Sequence, residues 1–207
     1  DYVVAGGMES MTNAPYLLKK HRSGARLGHD TAYDHMFLDG LEDAYEEGRA
    51  MGTFAQDTAN EYQLTREEMD AYSIESLRRA NAAIENGAFA GEVVPVTFST
   101  RAGEVTVEHD EQPGKGKPDK IPTLRPAFAK DGTITAATSS SISDGAAAVV
   151  LTRESVAEKN GQTPVARIVA MAAHAQAPSE FTVAPVGAIN KVLENAGWSA
   201  DDVELWE

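Results

Sequence analysis

The sequence predicts an α/β fold in which strands and helices alternate along the chain and pack in layers. Three observations favour it: a long helical stripe follows a capping box at Thr65, two alternating runs at 93–98 and 104–108 indicate a hairpin, and an apolar run at 145–151 indicates a buried strand. Such alternation is typical of layered α/β proteins. With 207 residues, 42% of them hydrophobic, the chain is long enough for one large domain or two small ones.

The first 90 residues are predicted to contain a strand, a loop and three helices. Residues 2–5 form a β-favouring apolar run that we expect to be a buried strand, ended by Gly6 and Gly7. Residues 8–30 have few periodic apolar positions and are expected to form a long loop. Helical spacing then predicts helices over 33–47, 53–62 and 65–87.

The rest of the chain continues the alternation beyond the hairpin. Residues 110–132 hold four of the nine prolines and three glycines, which predicts a loop. After the strand at 145–151, the patterns predict a short helix at 155–160, a strand at 165–173, a helix at 186–196 ended by Gly197, and a strand from 203 onward.

Both ends of the chain fall within patterns of buried strands. A strand at 2–5 with nothing before it, and another that begins at 203, each need neighbours for their backbone groups. We therefore expect these residues to be an internal piece of a longer protein.

The charge balance argues against several classes of partner. Eighteen Lys and Arg against 32 Asp and Glu give a net charge of -14, which repels nucleic acid and anionic membrane surfaces unless the bases are clustered. No apolar run approaches the roughly 20 residues that cross a bilayer, and no signal-peptide pattern is present, so we expect a soluble, cytoplasmic protein. The absence of cysteine excludes a disulfide, a thiolate metal site and a cysteine nucleophile among these residues.

The common catalytic patterns are weak here. The five histidines show no pair at helical spacing and no nearby set of ligands, so no metal site is predicted. Gly6 and Gly7 follow a strand but lack the third spaced glycine of a dinucleotide-binding loop. Glu9 and Ser10 have the composition of an acid–base or nucleophilic pair, but a carboxylate that binds backbone amides at a strand end is the more common reading.

A cluster of positive charge stands out in this acidic chain. Between Gln112 and Lys130 lie five bases against the single acid Asp119: Lys115, Lys117, Lys120, Arg125 and Lys130. Flexible ammonium groups beside glycine and proline suit a polyphosphate bound at the surface. A solvated loop with several lysines is an equally good interpretation.

Residues 133–145 are small and mostly hydroxylated, and they lead directly into the apolar run at 145–151. Small side chains let a ligand approach the backbone, and hydroxyls add hydrogen bonds without bulk. The stretch fits the wall of a narrow tunnel, and it fits close packing between two layers equally well.

Together these features resemble the thiolase family, and within it the acetyl-CoA acetyltransferases most closely. The matching stretches occur in the family's order: VVAGGMESM at 3–11, DHMFLDGLEDAY at 34–45, MGTFAQDTA at 51–59, LRPAF at 124–128 and GTITAATSSSISDGAAAVVL at 132–151. The resemblance implies an incomplete thiolase-like layered α/β fold with an inserted α+β loop domain. Residues 1–9 would end the N-terminal half, 10–130 would form the loop domain, and 131–207 would complete the N-terminal half and begin the C-terminal half.

The resemblance implies reversible acyl transfer, in which two acetyl-CoA molecules give acetoacetyl-CoA and CoA. Thiolases use two cysteines and a histidine that lie outside the matched stretches, so no catalytic residue is assigned here. A degradative 3-ketoacyl-CoA thiolase of fatty-acid oxidation and a non-catalytic CoA-binding module are the alternatives. The family further implies a homotetramer joined through residues 10–30, with no nucleic-acid or membrane partner, no metal, and no cofactor besides the CoA thioester substrates.

Nine residues map onto substrate-binding positions of the family. The acyl and pantetheine arm would contact Leu41, Met51 and Phe128, and the tunnel would be lined by Ala136 and Ile142. The pantetheine would form a hydrogen bond with Ser140. The nucleotide phosphates would meet Lys115, Lys117 and Lys120. The chain departs from relatives at Ala50, where some have histidine, at Leu77, where a potassium-binding relative has tyrosine, and at Thr138, where asparagine is frequent.

Overall fold

The chain contains both helices and strands, and a computed structural model describes it from residue 1 to residue 207. The strands are β1 (Tyr2–Glu9), β2 (Tyr16–Leu17), β3 (Tyr33–Asp34), β4 (Val96–Thr100), β5 (Gly103–Val107) and β6 (Gly145–Thr152). The α-helices are α1 (Met51–Glu61), α2 (Arg66–Glu85), α3 (Glu111–Lys115), α4 (Glu154–Lys159) and α5 (Ala184–Ala196). None of the helices combines the length and the apolar character that crossing a bilayer requires.

The chain forms two units. The first unit comprises residues 1–54 and 142–207, and the second comprises residues 55–141. The first unit thus joins both ends of the chain, and its bounds differ from those of the three segments expected from the family resemblance. That three-part organisation remains a prediction.

In the first unit, β1 pairs antiparallel with β6 over its full length, from Tyr2 opposite Thr152 to Glu9 opposite Gly145. The prediction that the first strand ends at Gly6 is therefore wrong, because β1 continues through both glycines. The predicted burial of both strands is also wrong, since every residue of β6 and all but Ala5 of β1 are exposed. The pattern identified the strands correctly, but no other strand of the chain joins this two-stranded sheet.

The helix predicted at 33–47 is mostly absent. The segment begins with β3, which pairs with β2, and continues as a π-helical turn over Phe37–Leu41. Beyond Leu41, the carboxylate of Asp43 accepts hydrogen bonds from the amides of Tyr45 (2.9 Å) and Glu46 (2.7 Å). A short acidic side chain that binds nearby amides competes with helical hydrogen bonds, which explains the local turn.

The other helices of the first unit follow the predictions closely. The helix predicted at 155–160 is α4, and α5 ends as expected at Gly197, whose φ of 68° is left-handed. The strands predicted at 165–173 and from 203 onward are wrong, and a short 3-10 turn, Ala200–Asp202, precedes the second region. A strand needs a neighbour that shares its hydrogen bonds, and none of the six strands pairs with these residues.

The second unit contains the best-predicted elements. Helix α2 begins at the predicted capping box, in which the Thr65 hydroxyl accepts from the Glu68 amide and the Glu68 carboxylate accepts from the Thr65 amide. The hairpin of β4 and β5 is confirmed, with Phe98 opposite Val105. The loop predicted at 110–132 is wrong in part, because it contains α3 and a 3-10 helix, Pro118–Thr123.

Candidate functional site

An open cleft of about 400 Å³ lies in the second unit, between one face of α2 and the hydroxylated segment. Residues three and four apart on a helix share a face, so four side chains of α2 line one wall together. They are Met69, Tyr72, Ser73 and Ser76, and residues 137–140 form the opposite wall. Six of these eight lining residues carry a hydroxyl, so the cleft can hydrogen-bond a polar ligand as a donor or an acceptor.

The buried amide of Gln56 on α1 holds the start of the hydroxylated segment. Its Oε1 accepts from the backbone amides of Thr133 (2.8 Å) and Ile134 (3.1 Å). Its Nε2 donates to the Thr133 hydroxyl (3.1 Å) and to Asn60 Oδ1 (3.0 Å). Gly132 leaves room for this arrangement, since a Cβ at that position would lie 2.5 Å from Gln56 Oε1.

Hydrogen bonds among hydroxyls then shape the turn that leads to the cleft. The amide of the fully buried Thr135 donates to the Thr138 hydroxyl (2.9 Å), which donates in turn to the Thr135 carbonyl (3.2 Å). The Ser139 hydroxyl donates to the same carbonyl (2.8 Å). Thr138 therefore has a structural role in this turn.

Ser140 differs from the residues before it. Its side chain is exposed at the cleft, and its hydroxyl forms no hydrogen bond with the rest of the chain. The neighbouring hydroxyls of Thr138 and Ser139 are already engaged within the turn. Among the three, Ser140 alone has its full hydrogen-bonding capacity available to a ligand.

The three predicted phosphate-binding lysines lie close together in sequence on exposed backbone. Lys115 ends α3, and its Nζ lies 3.9 Å from Glu111 Oε1, with both side chains mostly exposed. Lys117 directly precedes the 3-10 helix that contains Lys120, and neither of these two forms an ion pair. This stretch presents three solvated ammonium groups, two of them without a carboxylate partner.

The other predicted residues are divided between the two units. Phe128 is half-buried and Ala136 is exposed in the second unit, where the Ala127 amide donates to the Ile134 carbonyl (2.8 Å). In the first unit, Leu41 ends the π-helical turn, Met51 begins α1, and Ile142 is 58% exposed. The assembly of all nine residues into one site remains a prediction.

An edge-to-face aromatic pair includes a residue one helical turn beyond Met51 in the first unit. Phe54, one turn further along α1, is 1% exposed and meets Phe181 edge to face, with ring centroids 6.3 Å apart. The guanidinium of Arg49 lies over the Phe54 ring, 3.6 Å from its centroid. These contacts stabilise the start of α1 and therefore the position of Met51.

Sequence reasoning missed the three polar residues of α2 that line the cleft. Tyr72 belongs to the helical stripe that follows Thr65, and it is 79% exposed. The sequence pattern could have indicated Ser73 and Ser76 as lining residues, because they share a helical face with Met69 and Tyr72.

A second, shallow opening of about 500 Å³ lies beside β1 and β6 in the first unit, where small residues dominate. Here Asp144 has the role that the sequence suggested for Glu9. Its carboxylate accepts from the backbone amide of Thr12 (2.9 Å), and this bond lowers the pKa of Asp144. The bond connects the loop after β1 to the residues before β6, which is a structural role.

Comparisons with known proteins agree with one another. Residues 1–155 match the family model for the thiolase N-terminal domain, and residues 162–207 match that for the thiolase C-terminal domain. The chain is 47% identical over 206 residues to a probable acetyl-CoA acetyltransferase of Dictyostelium discoideum, covering 99% of this chain and 50% of that protein. It is 47% identical over 210 residues to acetyl-CoA acetyltransferase 1 of Arabidopsis thaliana, covering 100% of this chain and 50% of that protein.

Solved structures lead to the same family. The acetyl-CoA acetyltransferase of Bacillus anthracis superposes with a TM-score of 0.92 at 39% identity, covering 99% of this chain and 52% of that one. That of Syntrophomonas wolfei superposes with a TM-score of 0.90 at 36% identity, covering 100% of this chain and 52% of that one. The chain spans about half the length of the curated relatives it matches.

Proposed function

The chain belongs to the thiolase family and has part of the thiolase fold, and on that premise we propose that the protein to which it belongs is an acetyl-CoA acetyltransferase. The observation that carries the proposal is 47% identity, across the whole chain, to relatives with that name. The reaction joins two acetyl-CoA molecules into acetoacetyl-CoA and CoA, and it is reversible.

The proposed chemistry divides into reacting groups and binding groups. In thiolases a cysteine thiolate attacks the thioester carbonyl, CoA leaves as its thiol, and the acyl enzyme then acylates the carbanion of a second acetyl-CoA. These 207 residues contain no cysteine, so their part in the proposed reaction is to bind and orient the substrate. They do so, in our proposal, with no cofactor besides the CoA thioesters themselves.

We assign the pantetheine arm of CoA to Ser140 and the nucleotide phosphates to Lys115, Lys117 and Lys120. The free, exposed hydroxyl of Ser140 supports the first assignment, and the exposed ammonium groups support the second. The remaining contacts to the acyl and pantetheine arm are assigned to apolar residues: Leu41, Met51, Phe128, Ala136 and Ile142.

A homotetramer, a cytoplasmic location and a place in fatty-acid metabolism complete the proposal. The loop at 10–30 supports assembly, because it exposes Leu18 (49%) and Leu27 (101%), which lie between β2 and β3 along the chain. Light scattering on the whole protein with this loop shortened should report dimers. Cell fractionation tests the location, since a relative from Gibberella zeae is named as mitochondrial.

Titration of CoA against the whole protein at two salt concentrations tests the binding assignments. Each Lys→Ala change should weaken binding by about two- to fivefold at low salt and by less at high salt, because exposed charges are screened. Ser140→Ala should weaken binding by about fivefold at both salt concentrations, since a hydrogen bond is less sensitive to salt.

The matched control for the lysine variants is Lys159→Ala, which removes an exposed ammonium on α4 in the other unit. Unchanged CoA affinity in the triple lysine variant at low salt would contradict the phosphate assignment. Preferential cleavage of long 3-ketoacyl-CoA substrates would instead favour a degradative thiolase, and CoA binding without turnover would favour a binding module.

A further inference from the structure

The side chain of Arg66, in the first turn of α2, binds both ends of a short stretch of backbone. Its Nη2 donates to the carbonyl of Ile121 (3.0 Å) and to the carbonyl of Leu124 (2.9 Å). Its Nε donates to Asp70 Oδ2 (2.8 Å), one turn further along the same helix. A single guanidinium thus connects α2 to the last turn of the 3-10 helix Pro118–Thr123 and to the residue that follows it.

The ion pair of Arg66 with Asp70 is largely buried, so the loss of either partner is costly. The side chains of Arg66 and Asp70 are 20% and 7% exposed, and Ile121 is 6% exposed. Asp70 Oδ1 is buried and has no hydrogen-bond partner in the chain, so Arg66 provides the neutralising charge for that carboxylate. Removal of one partner of a buried ion pair leaves an uncompensated charge, which is strongly unfavourable.

The same stretch of backbone meets α2 at a second point. Gly116 lies so close to Leu77 that a Cβ at position 116 would be 2.5 Å from Leu77 Cδ2. The backbone from Gly116 to Leu124 is therefore held near its start by Leu77 and near its end by Arg66. Lys117 and Lys120 lie between these two points.

We propose that Arg66 and Asp70 are a positioning pair that fixes the backbone carrying Lys117 and Lys120 so that their ammonium groups meet the nucleotide phosphates of CoA. This inference rests on the proposed function. An ammonium group is a point charge on a flexible stem, so its placement depends on the backbone that carries it. A backbone held before the ligand arrives reduces the ordering cost of binding.

The test compares two substrates in the whole protein. Arg66→Lys keeps a positive charge near Asp70 but lacks the planar fork that reaches both carbonyls. With acetoacetyl-CoA, KM should rise by about three- to tenfold, which corresponds to the loss of one or two hydrogen bonds, while kcat should stay unchanged. With the N-acetylcysteamine thioester of acetoacetate and N-acetylcysteamine as the acceptor thiol, neither reactant has a nucleotide, so KM for the thioester should not change.

The matched control is Arg79→Lys, an equal change at an exposed arginine of α2 that pairs with Glu75. It should leave both KM values unchanged. Asp70→Asn is a second, milder variant, because the amide oxygen of asparagine can still accept from Arg66 Nε. It should raise KM for acetoacetyl-CoA by a smaller factor than Arg66→Lys does, and it should leave KM for the N-acetylcysteamine thioester unchanged. Melting curves measured beside the kinetics separate loss of folded protein from loss of binding.

An equal rise in KM for both substrates, or no rise for either, would overturn the positioning role while leaving the proposed function in place. If the protein without substitutions fails to cleave acetoacetyl-CoA, both the proposed function and this inference are overturned. A selective rise for acetoacetyl-CoA in Arg66→Lys, with Arg79→Lys unchanged, would support the inference.

Discussion

At the scale of single residues, Gln56 and Ser140 contribute to the cleft in opposite ways. Gln56 is 5% exposed, and both ends of its amide are hydrogen-bonded, whereas Ser140 is exposed and has no partner in the chain. The resemblance to thiolases assigned Ser140 to the pantetheine arm, and the run of small hydroxylated residues around it is compatible with that role. Nothing in the sequence indicated Gln56, because one glutamine in a helical pattern looks like any solvent-facing residue until its distant partners are known.

Substitution of Gln56 by methionine should destabilise the second unit. The change removes the acceptor for the amides of Thr133 and Ile134 at similar side-chain volume, so two amides are left unpaired near the core. We expect a loss of about 2 to 4 kcal/mol in the free energy of unfolding, since each unpaired buried donor costs about 1 to 2 kcal/mol. Urea denaturation provides the measurement.

The control for Gln56→Met is Asn60→Ala, which removes one hydrogen bond of the same amide at an exposed position. Its effect should stay within about 0.5 kcal/mol. If the two variants proved equally stable, the amides at 133 and 134 would not depend on Gln56 in the way the geometry indicates.

At the scale of elements, a helix or strand was predicted well when the interactions that form it join residues close in sequence. Helix α2 was predicted well because its capping box lies within four residues, where the Glu68 carboxylate accepts from the Thr65 amide at 3.0 Å and hydrogen bonds from Thr65 lower the pKa of Glu68. The strand predicted at 165–173 is absent because a strand depends on a distant neighbour, which no local pattern encodes. Val165 is 105% exposed there, which shows that an apolar run does not guarantee burial.

The pairing of β1 with β6 allows a sharp test, because two adjacent glycines have opposite surroundings. A Cβ on Gly6 would collide with the carbonyl oxygen of Ala147 and lie 2.9 Å from Ala148 Cα, whereas a Cβ on Gly7 would have no atom within 4 Å. Gly6→Ala should therefore destabilise the first unit by about 1 to 3 kcal/mol, since backbone atoms must move. Gly7→Ala should leave stability unchanged or raise it by up to about 1 kcal/mol, because alanine restricts the unfolded chain.

Thermal or urea denaturation of the two alanine variants, measured side by side, checks this expectation. Equal stability would mean that the two strands lie further apart at Gly6 than the structure indicates. The pair of variants also tests the register, since a shift by one residue would exchange the surroundings of the two glycines.

At the scale of the whole molecule, the family could be recognised from sequence, while the binding site remains a prediction. Five motifs in a fixed order identify a family even when each is weak, and the comparisons confirmed this identification. The site depends on how residues far apart in sequence converge, and the nine predicted residues are divided between two units. Motifs therefore indicate which residues belong to the predicted site, but they do not indicate which of those residues lie in contact.

The thiolase reaction needs a cysteine nucleophile, and these residues contain no cysteine. A polypeptide of only these 207 residues should not cleave acetoacetyl-CoA, because the thiolase route passes through a covalent acyl–cysteine bond and the sequence contains no cysteine. Binding groups alone orient the thioester but offer no thiolate to accept the acyl group, so turnover should equal the rate without enzyme. CoA-dependent loss of acetoacetyl-CoA absorbance, measured with the purified polypeptide and with the whole protein as positive control, checks this. Turnover that persists in the polypeptide after host thiolases are removed would show that another side chain accepts the acyl group.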